Sequence, residues 1–517
     1  MNLFKRAINF KLLLLMFALS CLLRLPNLNR PLANQWEICT GISLVQLDIW
    51  QRTGADNFHY LLPVNYPGVK ELHVQNWKAY KKTKDTKGDY YYLSFPSFYL
   101  LIPYFLNQLF SFPISPLSLQ LLNIFFHFLS LLLILKTCQL LFPQKNLQVN
   151  SIGLIACFIY CFSPSPLWFH TNIYLNFLLV IPILLFCNYQ FLKIYFSEQI
   201  SVSRFVQLGG GLFLLCFTEW IGFLTAFSYF LISAYFFLKT KQRKYISLGT
   251  TTGFTAIMAM GLYLWQCAGA VGWSTTINYF FYKYDEYSGS TQSPSFLLFL
   301  TRLLLWFVRG YGPVLTIIIG LLVVIWINKH SLKRLISKKA SLLFAVLIIP
   351  SLLRHLLLRD YTVHHEYSTL VDGLTISFFG GVLIAYIFEN QLLSKIKRAL
   401  IGMTFLILNS VSFFLQHFPG RKSFNGYPYD VARNIGTIIN NYAAKDEAVF
   451  LVGYNREYEW QLIWYAKTNV GFCKDFEEMN RKMQNLNITK AKAFVLDPSY
   501  MHTGKVAYIK NIQLPQK

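Results

Sequence analysis

Charge is scarce in this chain. Only 14% of its 517 residues are Asp, Glu, Lys or Arg, against about a quarter in an ordinary soluble domain. Acid is scarcer still, with 23 Asp and Glu against 47 Lys and Arg. At 54% hydrophobic, the chain does not read as a soluble globular protein. Other absences narrow the field. There is no HExxH run and no CxxC pair, so the common zinc spacings are missing. There is no Gly/Ser linker, low-complexity tract or internal repeat. The nine cysteines follow no regular spacing. Most, including Cys21, Cys138, Cys157, Cys161, Cys187 and Cys216, lie in apolar segments, while Cys39 and Cys473 lie in polar regions. A disulfide scaffold is excluded, and packing is the default role of these thiols.

Long apolar runs are what the chain has. Twelve segments qualify, near 9–25, 93–113, 116–142, 151–167, 172–196, 205–219, 221–238, 246–267, 310–328, 341–358, 369–388 and 399–417. Roughly 20 apolar residues at a helical rise of about 1.5 Å cross the hydrocarbon of a bilayer. The expected fold is therefore a polytopic α-helical membrane protein. No small-x-small cleavage site follows the first segment, which is read as a retained anchor.

The net charge of +24 might suggest a nucleic-acid partner. Its distribution argues for topology instead. Basic clusters fall in short turns between segments: Lys239, Lys241, Arg243 and Lys244, then Lys329, Lys333, Arg334, Lys338 and Lys339, then Lys395, Lys397 and Arg398. Short Lys/Arg-rich loops stay cytoplasmic. The amino terminus is then inside, and the loop 27–92 and the tail beyond 418 are outside. An inside start and an outside end require an odd number of crossings. The expectation is 11 or 13 spans, with 93–113 as a segment that does not cross fully. The expected localisation is the cytoplasmic (inner) membrane.

Two parts follow: a membrane body, 1–418, carrying the external loop 27–92, and an external tail, 419–517. The tail reads as a small α/β domain. Apolar strands near 447–453, 469–472 and 491–496 alternate with helical stretches at 430–442, 459–466 and 475–486, which implies a parallel sheet. It has neither GxGxxG nor GxxxxGK[ST], so a nucleotide site is unsupported.

Chemistry is expected at the external face. The loop opens with Arg30-Pro31-Leu32 and soon reaches Trp36-Glu37, which sets a carboxylate close to the membrane beside an interface tryptophan. Such a carboxylate can take a proton from an attacking hydroxyl. Asp48 and Asp56 are rivals in the same loop. The loop closes on Gly88-Asp89-Tyr90-Tyr91-Tyr92, an aromatic re-entry that ends in Phe95-Pro96-Ser97. A second constellation runs from Arg354-His355 through Arg359-Asp360 to His364-His365-Glu366. Arginine and histidine can hold a phosphate there, and Glu366 can orient a histidine. Glu219, in the turn Thr218-Glu219-Trp220, and Asp372, expected beside His365, are costly in lipid and call for polar surroundings. The aromatic and charged run 279–286 suits stacking on a sugar ring.

The two ends of the first loop together resemble the GT-C membrane glycosyltransferases, the protein mannosyltransferase-like and aminoarabinose-transferase-like branches above all. At two positions the chain differs from the usual pattern: an Asp-Glu pair reads Trp36-Glu37, and a Pro-Pro pair reads Pro96-Ser97. The resemblance implies transfer of a sugar from a polyprenyl-phosphate donor to a lipid, polysaccharide or protein acceptor, with inversion. Glu37 matches the position of the catalytic acid, with Asp48 as the alternative base. The candidate substrate-binding residues are Arg354, Arg359, His364, His365, Glu366, Glu219 and Tyr91. No metal ligand is assigned, and a divalent ion is the one cofactor left open. The rival readings are a transporter or flippase for lipid-linked saccharides and a polymerase or ligase. An oligosaccharyltransferase is disfavoured, because the tail has no WWDYG-like run.

Overall fold

A computed structural model describes residues 2–32, 35–74, 82–142, 151–198, 201–288, 294–328, 337–417, 430–444, 446–454 and 459–514. Each of the twelve apolar segments holds a helix. Among the described residues, nine helices are long and apolar enough to cross a membrane. A tenth candidate is the bent pair Ser151–Phe162 and Pro164–Asn172, broken by 62°. Pro164 and Pro166 explain the break, since proline starts a helix well and cannot continue one. The chain is thus a multi-pass membrane protein.

The count by length and composition is nine or ten, against the eleven or thirteen expected from parity. Two shorter apolar helices account for the difference. Phe98–Phe110 has 13 residues, or about 20 Å, well short of a hydrocarbon core of about 30 Å. Val202–Cys216, with 15 residues, packs between Asn176–Phe196 and Arg243–Val271. At about 22 Å it too is shorter than that core. The segment expected from residue 310 starts earlier, since its helix is Phe296–Ile327.

Small residues let the bundle close. A Cβ on Gly381 would lie 2.8 Å from the Ile152 carbonyl oxygen. The Leu370–Glu389 helix therefore rides directly on Ser151–Phe162, as glycine faces do in lipid. The basic turns gather at one end of the bundle: Lys244 Nζ donates to the carbonyls of Tyr195 and Ser197, and Lys339 stands over the Phe196 ring. Lys329, Lys333 and Arg334 lie outside the described residues.

The opposite end carries the first loop. Its centre is a buried helix, Ile38–Thr53, not a span. Thr40 and Ser43 donate to the carbonyls of Asn172 and Tyr174 at 3.1 Å each, which pins this helix to the membrane body. A two-residue antiparallel pairing, Leu62–Pro63 with Tyr91–Tyr92, closes the loop.

The tail caps this loop. Strands Val449–Val452, Val470–Cys473 and Lys490–Leu496 are parallel, as expected. A fourth strand, Val506–Gln513, adds antiparallel at the edge beside Lys490–Leu496. The helix Glu459–Ala466 lies on the loop helix, with the Trp460–Gln461 backbone about 3.0 Å from where a Gly41 Cβ would sit. The expected boundary at 418/419 lies outside the described residues.

Candidate active site

Glu37 ends the short turn Gln35–Glu37 and is the N-cap residue of Ile38–Thr53, yet its side chain makes no cap hydrogen bond. It turns instead to Arg30. The guanidinium grips both carboxylate oxygens, with Nη1 donating to Oε2 at 3.0 Å and Nη2 to Oε1. Asn27 and the Pro31 carbonyl take the other Arg30 donors, and the Trp168 ring lies 5.7 Å from the guanidinium carbon. Glu37 is 1% exposed. A carboxylate so buried needs this partner.

Trp36 links this pair to the second constellation. Its ring lies 5.9 Å from His365 and 5.5 Å, edge on, from Tyr367. His365 stacks on Tyr361 at 4.1 Å and donates from Nδ1 to the Tyr361 carbonyl. Burial pushes the His365 imidazole down to about 4, so it is neutral at ordinary pH. On the other side of Tyr361 stands Arg354, fully buried, its guanidinium carbon 4.3 Å from the Phe177 ring and 5.2 Å from the Tyr361 ring.

Arg354 donates one hydrogen bond, to the Ser368 carbonyl at 3.0 Å. Its Nε and Nη2 have no hydrogen-bond partner. Glu219 supplies the nearest negative charge, at 3.9 Å. Glu219 also accepts from the Ile221 backbone N–H at 2.6 Å, so it caps the helix Ile221–Thr240. Burial raises the Glu219 carboxyl, and Arg354 opposes that shift. An arginine with two unused donors in a dry site is a strong place for an anion.

Beyond Tyr361 from Arg354 opens an apolar groove of about 420 Å³, lined by Trp220, Phe223, Leu224, Met260, Leu264, Ile277, Phe280, Phe281, Leu357 and Leu358, with Ser94, Lys283, Tyr284 and Tyr287 as its polar members. Trp220 follows Glu219 in the chain, and Tyr287 lies 5.3 Å from Tyr361. The amphipathic helix Trp273–Ser288 forms one wall, which is where the aromatic run 279–286 falls. The Tyr92 hydroxyl approaches that of Tyr287 at 3.4 Å, so the re-entry of the first loop reaches the same rim.

The remaining sequence-selected residues sit elsewhere. Asp48 accepts from the Tyr66 hydroxyl at 2.8 Å and pairs with Arg52 at 2.9 Å and Lys467 at 3.3 Å, joining the loop helix to the tail. Tyr91 is buried and donates to Asp85, while its neighbour Tyr92 faces the groove. Arg359 is exposed, and His364 is exposed beside Asp360. Two expected pairings do not form. Glu366 does not orient a histidine: its nearest cation is Arg309, at 3.9 Å, because His365 already spends Nδ1 on Tyr361. Asp372 pairs with His355 at 2.9 Å and accepts from Ser351, not with His365.

Arg30 as the partner of Glu37 was not singled out by sequence, nor was the buried group at Arg24. There Arg24 meets His127, which stacks at 4.4 Å on His170, itself bonded to Tyr160 at 3.1 Å. As for a metal ion, the described residues hold no cluster of three or more His, Cys, Asp or Glu placed to bind one. The donor set at Glu37 is one carboxylate held by a guanidinium, which does not fit a divalent cation.

No family model matches this chain, and no curated protein matches it. Solved structures do. AglB, the oligosaccharyltransferase of Archaeoglobus fulgidus, in complex with an inhibitory peptide and a dolichol-phosphate, aligns over 97% of this chain and 72% of its own, at 11% identity and a TM-score of 0.56. The same archaeal enzyme with Zn and sulfate aligns over 93% of this chain and 68% of its own, also with a TM-score of 0.56. ArnT from Cupriavidus metallidurans, bound to undecaprenyl phosphate, aligns over 93% of this chain and 92% of its own, at 11% identity and a TM-score of 0.60. From the loop helix to the capping tail, the chain has the fold of the GT-C membrane glycosyltransferases.

Proposed function

We propose that this protein is a glycosyltransferase that moves a sugar from a polyprenyl-phosphate donor to an acceptor hydroxyl at the outer surface of the cytoplasmic membrane. The observation that carries this reading is the join between Arg354 and the groove. An apolar groove that suits a prenyl chain lies one ring away from a buried guanidinium, through Tyr287 and Tyr361, and that guanidinium's Nε and Nη2 have no hydrogen-bond partner among the described residues. Lys283, paired with Glu286 at 2.6 Å, and Tyr287 place an ammonium group and a hydroxyl at the rim. That is the chemistry of a phosphate on a lipid tail.

The proposed reaction uses these placements. The acceptor hydroxyl attacks C1 of the sugar from the face opposite the phosphate. The C1–O bond to phosphate breaks, and the phosphate leaves with the electron pair. Arg354 and Lys283 stabilise the charge that develops on it. The acceptor's proton passes to Glu37. Products are a glycoside of inverted configuration and polyprenyl phosphate. Residues 1–418 form the membrane body of the enzyme, and 419–517 form a lid that holds the loop helix in place and faces the acceptor, which is a lipid, polysaccharide or protein.

The test uses purified protein in detergent with sugar-loaded polyprenyl phosphates. Release of polyprenyl phosphate in step with glycosylated acceptor is the expected result. Passage of intact lipid-linked saccharide across a liposome membrane, without release, would replace the transferase with a flippase.

A further inference from the structure

The end of the bundle that carries the basic turns has a second cavity, unrelated to the first. It holds about 360 Å³ between the ends of Asn176–Phe196, Ile221–Thr240 and Lys338–Leu357. Leu231, Ile232, Phe236 and Leu342 line it, together with Tyr195 and Tyr235. These helices meet the active site at their other ends, near Asn176, Ile221 and Leu357. The two cavities are therefore separated by roughly the ~30 Å length of a 20-residue helix.

Lysines surround the mouth. Lys338 lines it directly. Lys239 stands 5.9 Å over the Tyr235 ring, and Lys339 stands 5.6 Å over Phe196, next to Tyr195. Lys244 donates to the Tyr195 and Ser197 carbonyls at 3.1 and 3.2 Å. Among the described residues none of the four has a carboxylate within ion-pair distance, and the acids at this end, Glu198 and Glu389, pair with none of them. Tyr235 and Leu231 are 57% and 44% exposed, so the cavity opens sideways, toward the hydrocarbon around the bundle. Apolar walls below and four unneutralised ammonium groups above describe one kind of ligand.

We infer that this cavity binds an anionic phospholipid, with an acyl chain against Leu231, Ile232 and Leu342 and the headgroup phosphate among Lys239, Lys244, Lys338 and Lys339. Basic pockets between membrane helices hold anionic headgroups, because charge attraction and apolar burial act on one molecule. A zwitterionic lipid would gain the burial without net attraction. Free phosphate would gain the attraction without burial. The site is independent of the sugar transfer, and its ligand is a resident of the membrane rather than a substrate.

Native mass spectrometry of the full chain, released from micelles with equal phosphatidylglycerol and phosphatidylcholine, tests this. Phosphatidylglycerol should be retained in preference. The Lys239→Gln/Lys338→Gln variant should lose that preference by about fivefold per lysine, the equivalent of ~1 kcal/mol for each basic residue at an anionic surface. Ala345→Trp, which fills the cavity, should lower retention of both lipids, while Lys87→Gln at the other end should change nothing. Equal retention of the two lipids by the parental protein would overturn the inference. So would a preference that survives the lysine pair, or complete displacement by millimolar inorganic phosphate. If Ala345→Trp does not fold, the lysine pair alone decides.

Discussion

Arg30 holds both carboxylate oxygens of Glu37 inside a site from which water is nearly excluded. The pair sits where the first loop, the membrane body and the tail meet, with Trp168 under the guanidinium. Pairing with the guanidinium lets the carboxylate stay buried. In the proposed reaction Glu37 is the base, and Arg30 orients it.

Glu37→Gln should lower turnover by about 10²–10⁴-fold, the range of a positioned general base. The amide keeps the volume but takes no proton. It also leaves Arg30 without its counter-charge, and removing one member of a buried pair costs up to roughly 3–5 kcal/mol. Thermal unfolding must therefore be followed beside turnover. A folded Glu37→Gln protein working at the parental rate would remove Glu37 as base.

Asp48→Asn separates the two loop acids. Asp48 is tied to Tyr66, Arg52 and Lys467. The variant should weaken the attachment of the tail by roughly 1.5–3 kcal/mol, as for a charged hydrogen bond, and lower the unfolding temperature. Turnover of the folded protein should stay within a few-fold of the parent. Inactivity at full stability would make Asp48 the base.

The contrast between these acids shows what the sequence could carry. Apolar length placed a helix in each of the twelve segments but overcounted the spans, since nine or ten helices among the described residues are long enough to cross a bilayer. Strand periodicity placed three strands of the tail but not Val506–Gln513, an edge strand exposed on both faces and so without alternation. The position of Glu37 was legible through the Arg-Pro-Leu run before it. Its pairing with Arg30 was not, since the turn between them has no helical or strand period. Arg354 and Glu219 meet only because two distant helix ends are packed together. Asp372 chose His355 over His365 for the same reason, one that spacing along the chain does not encode.

Orientation is checked with introduced cysteines. The native thiols are a quiet background, since all nine are free and only Cys21 is not fully buried. Cysteines at Asn57 and Gln484, both exposed on the loop and tail, should react with an impermeant reagent on intact cells. One at Arg243, among the basic turns, should react only after permeabilisation. The reverse pattern would place the active site inside the cell.

His365 gives the fold a pH dependence. Its folded value, pushed down to about 4 by burial, lies below the unfolded value of about 6.5. Between the two, the unfolded chain binds more protons, so stability is present above about 6.5 and is lost as pH falls toward 4. The difference in unfolding temperature between pH 7 and pH 5 should shrink in His365→Phe, which keeps the stack on Tyr361. An unchanged difference would mean that His365 protonates freely in the folded protein.

Arg354 offers the most direct reading of the donor site. Trp220 lines the groove, and its indole N–H is held by the Ser94 carbonyl at 2.7 Å. Quenching of its fluorescence by polyprenyl phosphate should report binding, and Trp220→Phe should remove that signal. Arg354→Gln should weaken binding about 10- to 150-fold, the equivalent of the ~1.5–3 kcal/mol of a charged hydrogen bond. Arg354→Lys keeps the charge but loses the fork, and should fall between. Glu219→Gln should tighten binding, because it frees the guanidinium from the one carboxylate within ion-pair distance among the described residues. Turnover of saturated enzyme should fall less than affinity in Arg354→Gln. If affinity holds in Arg354→Gln while turnover collapses, the ground-state donor phosphate is held elsewhere along the groove and Arg354 serves the departing phosphate alone, with Lys283 the next residue to substitute.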